Sequence, residues 1–198
     1  PMVDLATKVM LGTPLAELGY GTGLYKIPPY YAVKVPVFSF EKLTDANSYL
    51  GPEMKSTGEV LGLGKNLNEA IFKGLTSAGF KLKAPSGDTD VGVFISVGEH
   101  DLFEIVTLAK KLDDIGMKIY ATKDTAKAIE GLGTKVTPVG SINDSDDVYK
   151  LIEQEKISYI VYTGTLFDST LNDYINLHRK ALHHSIACLT SLDTANAL

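Results

Sequence analysis

The chain has 198 residues, of which 44% are hydrophobic and 22% charged, and its formal net charge is −5 at pH 7. This balance is typical of a globular protein and excludes a disordered chain, a collagen-like repeat and a basic nucleic-acid binder. A single cysteine, Cys188, excludes an internal disulfide framework and a multi-cysteine zinc site. The lack of an apolar run of about 18–20 residues, and of a basic-then-apolar start, predicts a cytoplasmic protein that does not associate with membranes.

Residues 1–88 predict a small α+β unit with little core of its own. Apolar spacing predicts three helices, at residues 3–10, 14–18 and 67–78. Alternating apolar residues predict a strand at residues 30–40. Residues 50–62 are polar and glycine-rich, and no regular element is predicted there. Residues 81–88 contain a proline and a glycine and are predicted to form a linker.

Residues 89–198 alternate between predicted strands and helices. Apolar runs mark the strands, at residues 91–97, 118–121, 135–139, 157–162 and 185–189. Apolar residues at three- and four-residue spacing mark the helices, at residues 102–112, 123–130, 145–152 and 171–182. The alternation predicts an α/β fold with a five-stranded parallel sheet flanked by helices.

The carboxyl ends of these strands form the predicted binding edge, because parallel sheets bind ligands there. The edge comprises residues 96–101, 122–125, 140–145 and 163–165. Thr122 and Thr125 follow a strand at the start of a helix, where two hydroxyls and free backbone amides suit a phosphate. The same residues also fit Thr122 as a simple helix cap, so both interpretations stand.

Three features of the sequence carry a family resemblance. The run at residues 51–62, together with residues 27–31 and the following Ala32-Val33-Lys34, closely resembles the end of the second ATP-grasp half of carbamoyl-phosphate synthase large chains. Residues 90–198 resemble the methylglyoxal-synthase-like regulatory domain that comes next in that family, with the matching segments in the family's order. The resemblance covers essentially the whole chain and identifies it as a C-terminal fragment of a family member.

The resemblance implies the organisation and chemistry of the complete enzyme. Residues 1–88 would be the end of the ATP-grasp half with its linker, and residues 89–198 the allosteric domain. The family is an ATP-dependent ligase that makes carbamoyl phosphate from bicarbonate, glutamine-derived ammonia and two ATP, with Mg²⁺ or Mn²⁺, for arginine or pyrimidine synthesis. A glutaminase small subunit supplies the ammonia. The family's metal-holding residues precede Pro1, so the fragment is expected to be inactive and to hold neither metal nor ATP.

The resemblance also implies an effector site for a small molecule such as a nucleotide, with its phosphate at Thr122 and Thr125. The candidate residues are hydroxyl and cationic side chains at the strand ends: Ser96, His100, Thr122, Lys123, Thr125, Thr163 and Thr165. His100 and Lys123 are candidates to replace cations that the family places elsewhere. Residues without the family's binding group stand at several effector positions, namely Leu102, Ser141, Tyr162, Val35 and Leu189. These departures predict a degenerate or retuned effector site.

Two other functions fit a five-stranded parallel α/β unit. A methylglyoxal-synthase-type lyase requires a carboxylate base in a Gly-Asp motif, and Gly87-Asp88 is the only such pair and lies in the predicted linker. A receiver-like signalling domain requires paired acids after its first strand, which Glu99 and Asp101 could supply. It also requires an aspartate and a lysine at the ends of later strands, where Val139 and Leu189 stand. Neither alternative explains residues 51–62.

Overall fold

The first unit is a two-stranded ribbon covered by one helix. It is seen in a computed structural model that describes residues 2–21, 23–24, 26–40, 42, 48, 50–83, 91–164 and 171–198. Its elements are α1 (Met2–Met10), a 3₁₀ turn (Leu15–Leu18), β1 (Tyr31–Val37), β2 (Gly58–Gly64) and α2 (Leu67–Ser77). The three predicted helices and the predicted strand are confirmed. The strand β2 pairs with β1 in antiparallel register, although no element was predicted there.

Glycines explain why a sequence without strand propensity forms β2. The helix α2 packs directly on the bare backbone of the strand. A Cβ at Gly62 would lie 2.0 Å from the carbonyl oxygen of Ala70, and one at Gly64 would lie 2.6 Å from the Ala70 amide nitrogen. The side chain of Asn66 accepts a hydrogen bond from the Glu69 amide at 2.9 Å and fixes the start of the helix. Tertiary packing therefore decides the structure of this segment.

The second unit is the predicted five-stranded parallel sheet flanked by helices. Its elements are β3 (Gly92–Ser96), a 3₁₀ turn (Glu99–Asp101), α3 (Leu102–Asp114), β4 (Lys118–Thr122), α4 (Lys123–Glu130), β5 (Thr137–Val139), α5 (Asp147–Glu153), β6 (Tyr159–Tyr162), α6 (Leu171–His183), β7 (Ala187–Leu189) and α7 (Leu192–Ala197). The last helix was not predicted. Leu192 and Ala195 of this short helix are buried in the core, so packing stabilises it.

The strand order β5-β4-β3-β6-β7 places β3 at the centre of the sheet. Counted within the unit this order is 3-2-1-4-5, whereas receiver domains have the order 2-1-3-4-5. The receiver-like alternative is therefore wrong. Successive residues of β3 point to opposite faces. Val93 and Ile95 pack in one apolar layer with α3, α4 and α7, and Phe94 packs in the other with α5 and α6.

Hydrogen bonds connect the two units. The hydroxyl of Tyr159 donates to the carbonyl oxygen of Lys83 at 2.8 Å and accepts from its amide at 2.5 Å. On the far side of the sheet, Lys81 Nζ lies 3.4 Å from Ser185 Oγ. The predicted linker and its Gly87-Asp88 pair lie largely outside the described residues. Among the described helices, none is long and apolar enough to cross a membrane.

Candidate functional site

Four hydroxyl side chains lie at the carboxyl edge of the three central strands: Ser96, Thr122, Thr125 and Thr163, hereafter the hydroxyl cluster. Ser96 ends β3, Thr122 ends β4, Thr125 lies in the first turn of α4, and Thr163 follows β6. Thr122 Oγ1 is 3.2 Å from Thr125 Oγ1 and 3.5 Å from Ser96 Oγ. The cluster lies at the ends of β3 and of its two neighbours. From β3 the chain first adds β4 and β5 on one side of that strand and then adds β6 and β7 on the other side. Such switch points are the usual ligand sites of open parallel sheets.

The loop after β3 is fastened by two members of the hydroxyl cluster. The amide of Val97 donates to Thr125 Oγ1 and the amide of Gly98 donates to Thr163 Oγ1, both at 3.3 Å. Thr125 is only 1% exposed, so its hydroxyl has a structural role as an acceptor. The hydroxyl of Thr163 donates to the carboxylate of Asp101. These hydrogen bonds bring a carboxylate to the centre of the predicted edge.

Thr122 occupies the N-cap position of α4, yet its side chain does not cap the helix. Its backbone is extended, with φ −60° and ψ 153°, and no hydrogen bond joins its hydroxyl to the first-turn amides. The hydroxyl instead faces Ser96 and Thr125. Thr122 thus occupies the predicted cap position, but its hydroxyl accepts no hydrogen bond from the helix. The first-turn amides of α4 therefore donate no hydrogen bond to the Thr122 side chain.

The two candidate cations lie at the same edge but outside the cluster's hydrogen bonds. His100 belongs to the 3₁₀ turn after β3, and Lys123 is the first residue of α4, and both are exposed. Thr165, the last candidate residue, lies outside the described residues. Asp101 is the site residue that the effector prediction missed. The nearest sequence signal was its place in the loop after β3, within the predicted edge at residues 96–101.

The positions that depart from the family pattern have structural roles. Ser141 donates a hydrogen bond to the Asp144 carboxylate at 2.6 Å. Tyr162 is buried and stacks on Tyr174, with ring centroids 5.0 Å apart. Leu102 begins α3 and is half-buried. None of these side chains can replace a cation.

The remaining two departures lie away from the edge. Val35 of β1 lies against α2, where a Cβ at Gly74 would approach its Cγ2 to 2.7 Å. Leu189 of β7 is buried in the core. Neither can pair with an ammonium group.

The loop after β5 forms a second polar group beside the edge. The Gly140 amide donates to the Asp147 carboxylate at 3.1 Å, and the Asp147 amide donates to Ser145 Oγ at 3.0 Å. Hydrogen bonding by the Ser145 side chain, and then by the Gly140 amide, lowers the pKa of the Asp147 carboxyl. Ser145 thus satisfies the Asp147 amide, although the N-cap residue of α5 is Asp146. Across the described ranges, no group of three or more His, Cys, Asp or Glu side chains is arranged to hold a metal ion.

The family comparison decides what kind of unit carries this site. Residues 104–190 match the family model of the MGS-like domain. The second unit contains an MGS-like domain. A methylglyoxal synthase from Elizabethkingia anophelis is similar over 54% of this chain and 74% of its own, with 18% identity and a TM-score of 0.43.

The whole chain, and not only the MGS-like domain, has curated relatives. It is 41% identical over 199 aligned residues to the carbamoyl phosphate synthase large chain of Clostridium botulinum and 42% identical to that of Clostridium perfringens. Each alignment covers 100% of this chain and 18% of the relative, and it falls in the C-terminal part of the large chain. The predicted resemblance is confirmed. The chain spans about a fifth of the length of these relatives.

Proposed function

We propose that this chain is the regulatory end of a carbamoyl phosphate synthase large chain, in which the MGS-like domain binds an effector and tunes the complete enzyme. The observation that carries this proposal is the alignment of the entire chain with large chains at about 41% identity. Both units take part in the alignment. A stand-alone lyase or signalling domain would not need the first unit.

The complete enzyme would be a cytoplasmic ligase that makes carbamoyl phosphate from bicarbonate, ammonia and two ATP, for arginine or pyrimidine synthesis. A glutaminase small subunit would supply the ammonia. In this proposal the first unit is the end of an ATP-grasp half, and ATP with Mg²⁺ or Mn²⁺ would bind to other parts of the complete protein. The chain on its own would be catalytically inactive.

The effector would bind at the carboxyl edge of the sheet. The hydroxyls of Ser96 and Thr122 and the first-turn amides of α4 can donate to a phosphate group. Lys123 and His100 are the nearby exposed groups that can carry positive charge. The carboxylate of Asp101 opposes an anion, so we propose weak binding of nucleotides at this edge.

A ligand panel tests the proposal on the chain itself. Thermal unfolding would be followed with UMP, IMP, phosphoribosyl pyrophosphate, ornithine and N-acetylglutamate. A ligand at about 100 times its Kd should add roughly 2.7 kcal/mol to the free energy of unfolding. Thr122→Val should abolish that shift, whereas Thr107→Val, an exposed threonine of α3, should leave it unchanged. A panel without any shift would contradict the effector site.

The enzymatic part of the proposal is tested separately. The complete large chain would be combined with its small subunit, and glutamine-dependent formation of carbamoyl phosphate would be measured. Product that requires ATP, bicarbonate and Mg²⁺ would support the proposal. Failure to form product with a well-folded complex would contradict the synthase assignment whatever the ligand panel shows.

A further inference from the structure

A row of stacked rings joins the edge of the MGS-like domain to the first unit. Tyr162, at the end of β6, stacks on Tyr174 of α6. Tyr174 in turn stacks on His178, with centroids 5.6 Å apart and an interplanar angle of 7°. Nδ1 of His178 lies 3.0 Å from Oγ of Ser48 in the first unit. The imidazole is thus both the last ring of the row and a contact between the units.

His178 also lines a cavity of about 200 Å³ between the two units. Pro36, Phe38 and Phe40 form part of the first unit's wall. Both units contribute to the lining, and no carboxylate is found among the described lining residues. A protonated imidazole would therefore find no acid among the described residues of this cavity.

Among the described residues that line the cavity or stack on the ring, the titratable groups cannot compensate the charge of the imidazole. They are Tyr174 on its own helix, Cys188 of β7 and Lys81 of the segment that follows α2. Burial raises the pKa of the Cys188 thiol to about 12 and also raises the pKa of the Tyr174 hydroxyl. Both stay neutral in the physiological range, and Lys81 is positive. None of these neighbours therefore offers a negative charge to a protonated imidazole.

We propose that His178 is a pH-sensitive latch between the two units, whose neutral ring holds the contact with Ser48 and whose protonation opens it. Burial lowers the pKa of His178 from its ordinary value of 6.5. The closed arrangement therefore has its full stability above pH 6.5 and loses it as the pH falls from 6.5 toward the lowered pKa. If the pKa is lowered by one, the equilibrium constant for closing changes about tenfold across this pH range.

Cys188 provides the measurement, because it is the only cysteine of the chain and lines the same cavity. Its rate of reaction with 4,4′-dithiodipyridine would be followed from pH 8 to pH 5. At each pH it would be divided by the rate for the urea-unfolded chain, which removes the titration of the thiol itself. Circular dichroism would check that the chain stays folded. We expect the normalised rate to rise several-fold below pH 6.5.

Two glutamine variants separate the latch from general acid effects. His178→Gln keeps a side chain that can hydrogen-bond to Ser48 but cannot take a proton, so its rate should not respond to pH. His183→Gln, at an exposed position of the same helix, should behave as the wild type. A wild-type rate that does not change, or a rise that persists in His178→Gln, would overturn the proposal.

If His178→Gln reacts rapidly at every pH, an NMR titration of the His178 ring in the wild-type chain tests the proposal instead. The pKa of His178 would then be read from the chemical shift of its ring proton in the wild-type chain. A value below 6.5 would support the latch. A value of 6.5 or above would overturn it.

Discussion

The carboxylate of Asp101 accepts a hydrogen bond from the hydroxyl of Thr163, a residue 62 positions later in the chain. Thr163 Oγ1 also accepts the amide of Gly98 at 3.3 Å. A negative charge therefore lies at the edge where the proposed effector would place its phosphate. The chain's own carboxylate opposes an external anion there.

Replacing this carboxylate should strengthen anion binding. We expect Asp101→Asn to gain about 1 kcal/mol, or roughly a fivefold lower Kd for UMP, because a like charge several ångströms away is removed. Isothermal titration calorimetry at low ionic strength would measure the difference, which should shrink in high salt. Asp114→Asn is the matched control, since it makes the same charge change at the other end of α3. Equal gains in both variants would indicate an effect of net charge alone.

The buried hydroxyl of Thr125 should matter for stability. Thr125→Val keeps the shape of the side chain but removes the acceptor of the Val97 amide. We expect a loss of about 1–3 kcal/mol in the free energy of unfolding, measured by urea denaturation. Thr107→Val on the exposed side of α3 should change it by much less. Similar losses in the two variants would show that the Val97 amide finds another partner.

The contact between β2 and α2 should not tolerate a methyl group at Gly62. The new Cβ would collide with the carbonyl oxygen of Ala70, and only movement of the helix could relieve the collision. We expect Gly62→Ala to lose about 3 kcal/mol of unfolding free energy, measured by thermal unfolding. Gly58→Ala in the same strand meets its nearest atom at 3.9 Å and should be close to neutral. A neutral Gly62→Ala would contradict the packing described for this helix.

Asp147 should contribute to the acid sensitivity of the chain. Its lowered pKa means that the ionised carboxylate favours the folded state above its ordinary value of 3.8, and that this contribution is lost as the pH falls below 3.8. Asp147→Asn should therefore reduce the drop in urea midpoint between pH 6 and pH 3. Asp146→Asn, at the exposed neighbouring position, should retain the wild-type drop. A smaller drop in urea midpoint in Asp146→Asn than in Asp147→Asn would instead assign the acid sensitivity to Asp146.

Local signals predicted most elements but missed those that packing decides. The helix at residues 123–130 was predicted with its bounds because its apolar spacing ends at Gly131. The strand β2 was missed because glycines have low strand propensity. Their role is seen only in the structure, where α2 packs directly on the backbone of the strand. The helix α7 was missed because six residues are too few to show a period, while burial of Leu192 and Ala195 stabilises it.

The candidate site divides in the same way. The positions of Ser96, Thr122 and Thr163 at strand ends follow from the alternation of elements, so the sequence could place them at one edge. Which hydroxyl bonds to which partner depends on the register of β3 against β4 and β6. No local pattern indicates that Asp101 reaches Thr163. The stacking of Tyr162 on Tyr174 could not be predicted from the sequence either, because it joins the end of a strand to the face of a helix.

The central position of β3 has a consequence for how the MGS-like domain is made. Val93 pairs with Tyr159, so β3 acquires its second neighbour, β6, only after α3, β4, α4, β5 and α5 have been synthesised. Contacts between such distant segments make folding slow, since a long loop must close first. A nascent chain that has not yet reached β6 leaves one edge of β3 unpaired and the apolar side chain of Phe94 without its contacts from α6. That interval during translation is when the domain is most exposed to aggregation and most dependent on chaperones.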